Sequence, residues 1–148
     1  MSLYRNILVA VDGSPDAEAA LRHAAALARD QNARLTLLSV APAAASTAGV
    51  GGATPADPLE FHAKMLREAA ASVPDDASVS TLLERGDAAD AILATAAKGS
   101  HDLIVMGSHG HSRFHRALLG SVSERVLKAS ETPVLLMRGG KVASDPGT

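Results

Sequence analysis

The chain has 148 residues, no cysteine and a formal net charge of −2. That length suits one domain that buries roughly two-thirds of its unfolded surface unaided, and the lack of cysteine excludes disulfide scaffolds, thiol catalysis and cysteine-ligated zinc. With one Tyr, two Phe and no Trp, it has neither the basic footprint nor the stacking surface of a generic nucleic-acid binder.

In chain order, Ile7-Leu8-Val9-Ala10-Val11 is a continuous aliphatic run ending at Asp12-Gly13-Ser14-Pro15, which predicts a strand buried on both faces and then a turn. The apolar run is too short for a membrane span, meets Asp12 at once and lacks a small-residue cleavage pattern, so no membrane partner and a cytoplasmic location are expected. Ser14 can cap the first helix with Pro15 at its first position, and Ala17, Leu21, Ala24 and Ala28 form an apolar stripe reaching Asp30. Leu35 to Val40 predicts the second strand. Ala41 to Pro58 is rich in Ala, Gly, Ser, Thr and Pro without a period, and reads as a flexible loop in the position of a lid.

A second helix is predicted from Asp57 to Ser72, stopped by Pro74-Asp75-Asp76. Val79, Thr81 and Leu83 alternate with Ser78, Ser80 and Leu82, as a half-buried edge strand would. Gly86-Asp87 turns into a third helix with Ala88, Ile92 and Ala96 on its stripe and Gly99 at its end. Leu103 to Met106 is the fourth strand. A fourth helix carries Val122, Val126 and Leu127, and Thr132-Pro133 leads into the short strand Val134 to Met137. Residues 139–148 read as a loose tail.

Alternating apolar strands and amphipathic helices predict an α/β fold: a single doubly wound domain, spanning 1–148, with helices on both faces of a parallel sheet. Ligands in such sheets bind beyond the carboxyl ends of the strands, where strand order reverses. The two chemically equipped loops follow strands one and four, which favours the order 3-2-1-4-5 with Asp12 facing Gly107 across the crevice. This order leaves the apolar fifth strand at an edge, and a homodimer pairing strand 134–137 with its symmetry mate would cover it.

Directly behind the fourth strand stands Gly107-Ser108-His109-Gly110, followed after nine residues by Gly120-Ser121. Glycines let the backbone approach a ligand, and a helix opening with Gly-Ser aims unpaired N–H groups at an anion. The charge is placed to match: residues 1–97 hold seven Lys/Arg against twelve Asp/Glu, residues 98–148 seven against four. His109, His111 and His115 have spacing for neither a strand nor one helix face, so they read as loop histidines, with His109 near the phosphates.

Ile7 to Ser14, the Gly-x2-Gly-x9-Gly-Ser pattern from Gly107 to Ser121, and the closing Ser-Glu-Arg-Val-Leu and Thr-Pro-Val-Leu-Leu-Met together resemble the universal stress protein family over Leu3 to Arg138. The resemblance implies five parallel strands, dimerisation through the last strand and, in members with this glycine pattern, ATP binding. It places Asp12 at the ribose or phosphates, sometimes through a metal such as Mg²⁺, and the Val40 backbone at adenine. Gly107 and Gly110 match the turn beside the ribose and phosphates, and Gly120, Ser121 and Val122 the helix start that holds the phosphates. Val11, Met106 and His109 complete the set of candidate binding residues. Where many relatives carry a basic residue after the second glycine, this chain has His111, with Arg113 and Arg116 further on.

No Gly-x4-Gly-Lys-Ser/Thr loop, Ser-x-x-Lys or Gly-x-Ser-x-Gly motif is present, so the usual catalytic groups are not in view. The leading reading is an ATP-binding, dimeric stress-response or signalling module with an unknown protein partner. Two alternatives stand beside it: a slow ATP-hydrolysing or adenylate-forming enzyme using Asp12, Arg113 and His109, and a dimeric interaction protein without nucleotide.

Overall fold

The computed structural model describes residues 2–43, 58–109 and 119–139. Within them the order is β1 (Asn6–Ala10), α1 (Pro15–Gln31), β2 (Arg34–Ala41), α2 (Pro58–Ala71), β3 (Ser78–Arg85), α3 (Ala88–Lys98), β4 (Leu103–Gly107), α4 (Ser121–Ala129) and β5 (Val134–Met137). The strands form one parallel sheet in the order β3-β2-β1-β4-β5, as the loop chemistry predicts.

Successive strand residues point to opposite faces, so a strand covered on both sides needs an unbroken apolar run. Ile7, Val9, Leu35, Leu37, Leu103 and Val105 pack with the alanines of α1 and with Leu66 of α2. Leu8, Leu38, Ile104 and Met106 pack on the other face with Ala89, Ile92 and Ala96 of α3 and Val126 of α4. Alanine on α1 lets that helix sit close to the sheet: Ala17, Ala20, Ala24 and Ala28 are buried, while Leu21 lies half-buried at the margin.

The turn after β1 forms as its residues dictate. Gly13 takes φ +83°, Ser14 N–H donates to Asp12 Oδ1 at 2.8 Å, and Ser14 Oγ accepts from Ala17 N–H at 3.1 Å as the α1 cap. Gly99 ends α3 as predicted.

Several boundaries differ from expectation. Ala41, read as the first loop residue, is the last residue of β2, and its carbonyl accepts from Gly86 N–H. Most of that loop, 44–57, lies outside the described residues. β3 runs longer than its alternating core, and Thr81 is exposed whereas Leu82 packs toward α3. As an edge strand its two faces are unequally covered, so side-chain alternation is a weak guide to burial there. Gly139, read as the start of a loose tail, is anchored instead: its N–H donates to Asp16 Oδ1 at 2.6 Å. No described helix is long and apolar enough to cross a membrane.

Candidate functional site

At the carboxyl ends of β1, β2 and β4 lies a cleft of about 330 Å³, within the usual size of small-molecule sites. Leu38, Ile92 and Met106 form its apolar floor, and Asp12, His109 and Ser121 supply polar groups. Val11, Asp12, Val40, Met106, Gly107, His109, Gly120, Ser121 and Val122 all line it, so the structure brings together the residues singled out from sequence. Gly110, His111, Arg113, His115 and Arg116 lie outside the described residues.

Two backbone edges face this cleft. Val11 N–H donates to Leu38 O on the β1 side of β2, and Gly86 N–H donates to Ala41 O on the β3 side. Backbone groups alternate along a strand, so the N–H and C=O of Val40 point toward β1 where β1 has already ended. The second edge is the start of α4. Gly120 is its N-cap with φ −66° and no side-chain cap. Because the first N–H within the helix's own ladder is Glu124 to Gly120 O, the N–H groups of residues 121–123 have no intrahelical acceptor.

The glycines work by closeness rather than by unusual backbone angles. Among the described glycines only Gly13 and Gly86 have positive φ, so no left-handed turn calls for glycine at Gly107 or Gly120. A Cβ on Gly107 would lie 2.7 Å from Asp16 Cβ and 2.9 Å from Ala17 N; one on Gly120 would lie 3.1 Å from His109 O. Gly107 is thus required where β4 meets the first turn of α1.

Sequence reading missed the groups that hold these pieces in place. Ser123, buried on α4, donates its hydroxyl to Gly107 O at 2.7 Å. Gly120 N–H donates to Ser108 O at 2.7 Å, and Ser108 N–H to Met137 O at 3.0 Å. Arg125, exposed on α4, brackets Asp87 and Asp90 of the α3 N-terminus. Hydrogen bonds from Asp90 N–H and the nearby Arg125 hold the Asp87 carboxyl below its ordinary range.

Asp16 gathers the densest set of these contacts. Its Oδ2 accepts from Ser108 Oγ at 3.0 Å and His109 N–H at 3.2 Å, and lies 3.0 Å from His109 Nδ1. A carboxylate oxygen only accepts, so Nδ1 carries the hydrogen. Nε2 of the same ring is buried and has no partner among the described residues. Burial raises the Asp16 pKa, yet hydrogen bonds from Gly139, His109 and Ser108 outweigh it and hold the carboxyl below its ordinary value. Ser108, His109 and Asp16 are the residue types of a hydrolytic triad, but serine and carboxylate share Nδ1, so the ring does not relay between them.

A family profile covering residues 3–138 matches the chain, and it describes universal stress proteins. The chain belongs to the universal stress protein family. It is 32% identical over 150 residues to a putative universal stress protein of Staphylococcus aureus strain USA300, covering 98% of this chain and 90% of that protein. A universal stress protein crystallised in complex with cAMP superposes with a TM-score of 0.70 at 26% identity, covering 94% of this chain and 100% of that one. Another, from Archaeoglobus fulgidus in complex with dAMP, gives 0.67 at 29%, covering 91% and 98%. Asp16 and Ser108 thus sit within the universal stress protein fold beside the residues that the glycine pattern marks.

Proposed function

We propose that this universal stress protein binds an adenine nucleotide, ATP foremost, in the cleft above β1, β2 and β4, and acts by occupancy as a dimeric stress-response or signalling module. The observation that carries the reading is the pair of open backbone edges on one cleft: Val40 offers an N–H and a C=O to a purine edge, and the uncapped start of α4 offers N–H groups to phosphate. The buried Nε2 of His109, without a described partner, fits a site completed by a polar group. Complexes of two structural neighbours with cAMP and dAMP support the ligand class.

Charge-assisted hydrogen bonds of about 1.5–3 kcal/mol each, less the cost of ordering, suffice for micromolar binding at about −8 kcal/mol. Asp12, which lines the cleft, would share a Mg²⁺ with phosphate oxygens and so offset their charge. Among the described residues no group of three potential ligands forms a metal site, so the nucleotide itself would complete the coordination.

Calorimetry with ATP, AMP, cAMP and GTP, alongside mass analysis of nucleotide retained through purification, tests the reading. ATP is expected to bind in the micromolar range and GTP at least about tenfold more weakly. Gly120→Val, whose side chain would crowd the α4 entrance, is expected to weaken ATP binding by about tenfold or more with an unchanged circular dichroism spectrum. Absence of any nucleotide heat at millimolar concentration, or wild-type affinity in Gly120→Val, would overturn it. A turnover assay on the same samples separates a binder from a slow ATPase.

A further inference from the structure

An acidic residue in the first turn of a helix is favoured by the helix dipole alone and needs no further partner. Glu18 of α1 is such a residue and is exposed. Asp16 differs: its side chain is 13% exposed and both oxygens are engaged. Oδ2 receives Ser108 and His109, at the start of the segment joining β4 to α4; Oδ1 receives the Gly139 N–H, just past β5.

Both incoming segments carry glycine where they touch α1. A Cβ on Gly139 would lie 2.0 Å from the Pro15 carbonyl oxygen, as one on Gly107 would press on Asp16 itself. The backbone is therefore shaped to seat this carboxylate. From it the contacts run on through Ser108 O to the N–H of Gly120, the N-cap of α4.

We propose that Asp16 is a positioning residue of the nucleotide site, whose carboxylate sets His109 and the α4 entrance and ties them to the end of β5. The inference rests on the nucleotide reading above. A ligand that orders His109 and Gly120 holds the same carboxylate that holds Gly139, so binding stabilises the end of β5. By reciprocity, whatever orders that end favours the ligand.

The test combines ATP titration with hydrogen exchange on wild type, Asp16→Asn and Ser108→Ala. Asn keeps the shape but faces the Ser108 and His109 donors with one acceptor oxygen or an N–H of its own. In wild type, saturating ATP is expected to slow exchange at Met137 to Gly139 by about tenfold. Asp16→Asn is expected to bind ATP about tenfold more weakly or worse and to lose that slowing at saturation. Ser108→Ala, which deletes one donor and secures the test should Asp16→Asn fold poorly, is expected to shift both readouts the same way by about threefold. A purely structural role would lower the melting temperature but leave affinity and the ATP-dependent slowing intact in the folded protein. Wild-type affinity in both variants, or unchanged exchange at Gly139 when wild type is saturated, would overturn the positioning role while leaving the nucleotide reading standing. Failure of wild type to bind any adenine nucleotide would overturn both.

Discussion

Asp16 is where a single charge matters most, and acid should reveal it. Its folded pKa lies below the ordinary 3.8, so its ionised form is the one that the fold prefers. The stabilisation is then complete above the unfolded value and is lost as pH falls through the folded one. Asp16→Asn is expected to cost about 2 kcal/mol near neutral pH, the scale of a largely buried, charge-assisted network losing its acceptor. As pH falls below the ordinary 3.8 and through the lower folded value the gap should narrow, because wild type then carries a protonated carboxyl in the same place. Urea unfolding of both proteins between pH 7 and pH 2 checks this, and a gap that stays constant would mean that the fold does not prefer the ionised Asp16 carboxylate. No sequence signal marks these contacts: Asp16 precedes His109 by 93 residues and Gly139 by 123, and an Asp two residues after a Ser cap looks the same whether solvated or buried. The lining residues were readable because each sits in or beside a local motif. The groups that hold them were not, because only the folded sheet brings β4, β5 and α1 together.

At the level of elements, the site depends on the distance between the end of β4 and the start of α4. Ser123 sets that distance by donating from the third residue of α4 to the Gly107 carbonyl, with both residues buried. Ser123→Ala leaves that carbonyl without its donor and is expected to cost about 1–3 kcal/mol in chemical unfolding. It should also weaken ATP binding, because the helix whose N–H groups face the cleft is no longer pinned to the strand. A loss of stability with unchanged affinity would mean that the helix is held by other contacts. The order of elements was legible because the strands are unbroken apolar runs and the helices have clear stops, with Pro15 and Gly99 where such residues belong. β3 was less so. Its partial burial depends on how far α2 and α3 overhang the sheet edge, which no local pattern encodes.

For the whole molecule, the strand order leaves β3 and β5 as the two edges, and they are built differently. β3 carries Ser78, Ser80, Thr81, Glu84 and Arg85 exposed, the polar dressing that discourages pairing, whereas β5 is Val-Leu-Leu-Met throughout. The carbonyls of Pro133 and Met137 face β4, where they accept from Ile104 and Ser108. By alternation the backbone groups of Val134 and Leu136 therefore face the open side. Leu127 of the adjoining α4 is 46% exposed. A two-fold axis beside β5 would satisfy the backbone and cover the apolar edge with one antiparallel pairing. Sedimentation of wild type at tens of micromolar is accordingly expected to give a dimer. Val134→Pro is the discriminating variant: the first residue of a strand tolerates proline, yet the change removes an outward N–H and sets a ring against the incoming strand. It should weaken dimerisation by about tenfold or more while the monomer keeps its circular dichroism spectrum. A wild-type monomer at that concentration, or equal association in the variant, would mean that β5 is covered by something other than its own copy. If the dimer does form there, its interface strand ends two residues before Gly139, and the carboxylate of Asp16 stands between that interface and the α4 entrance.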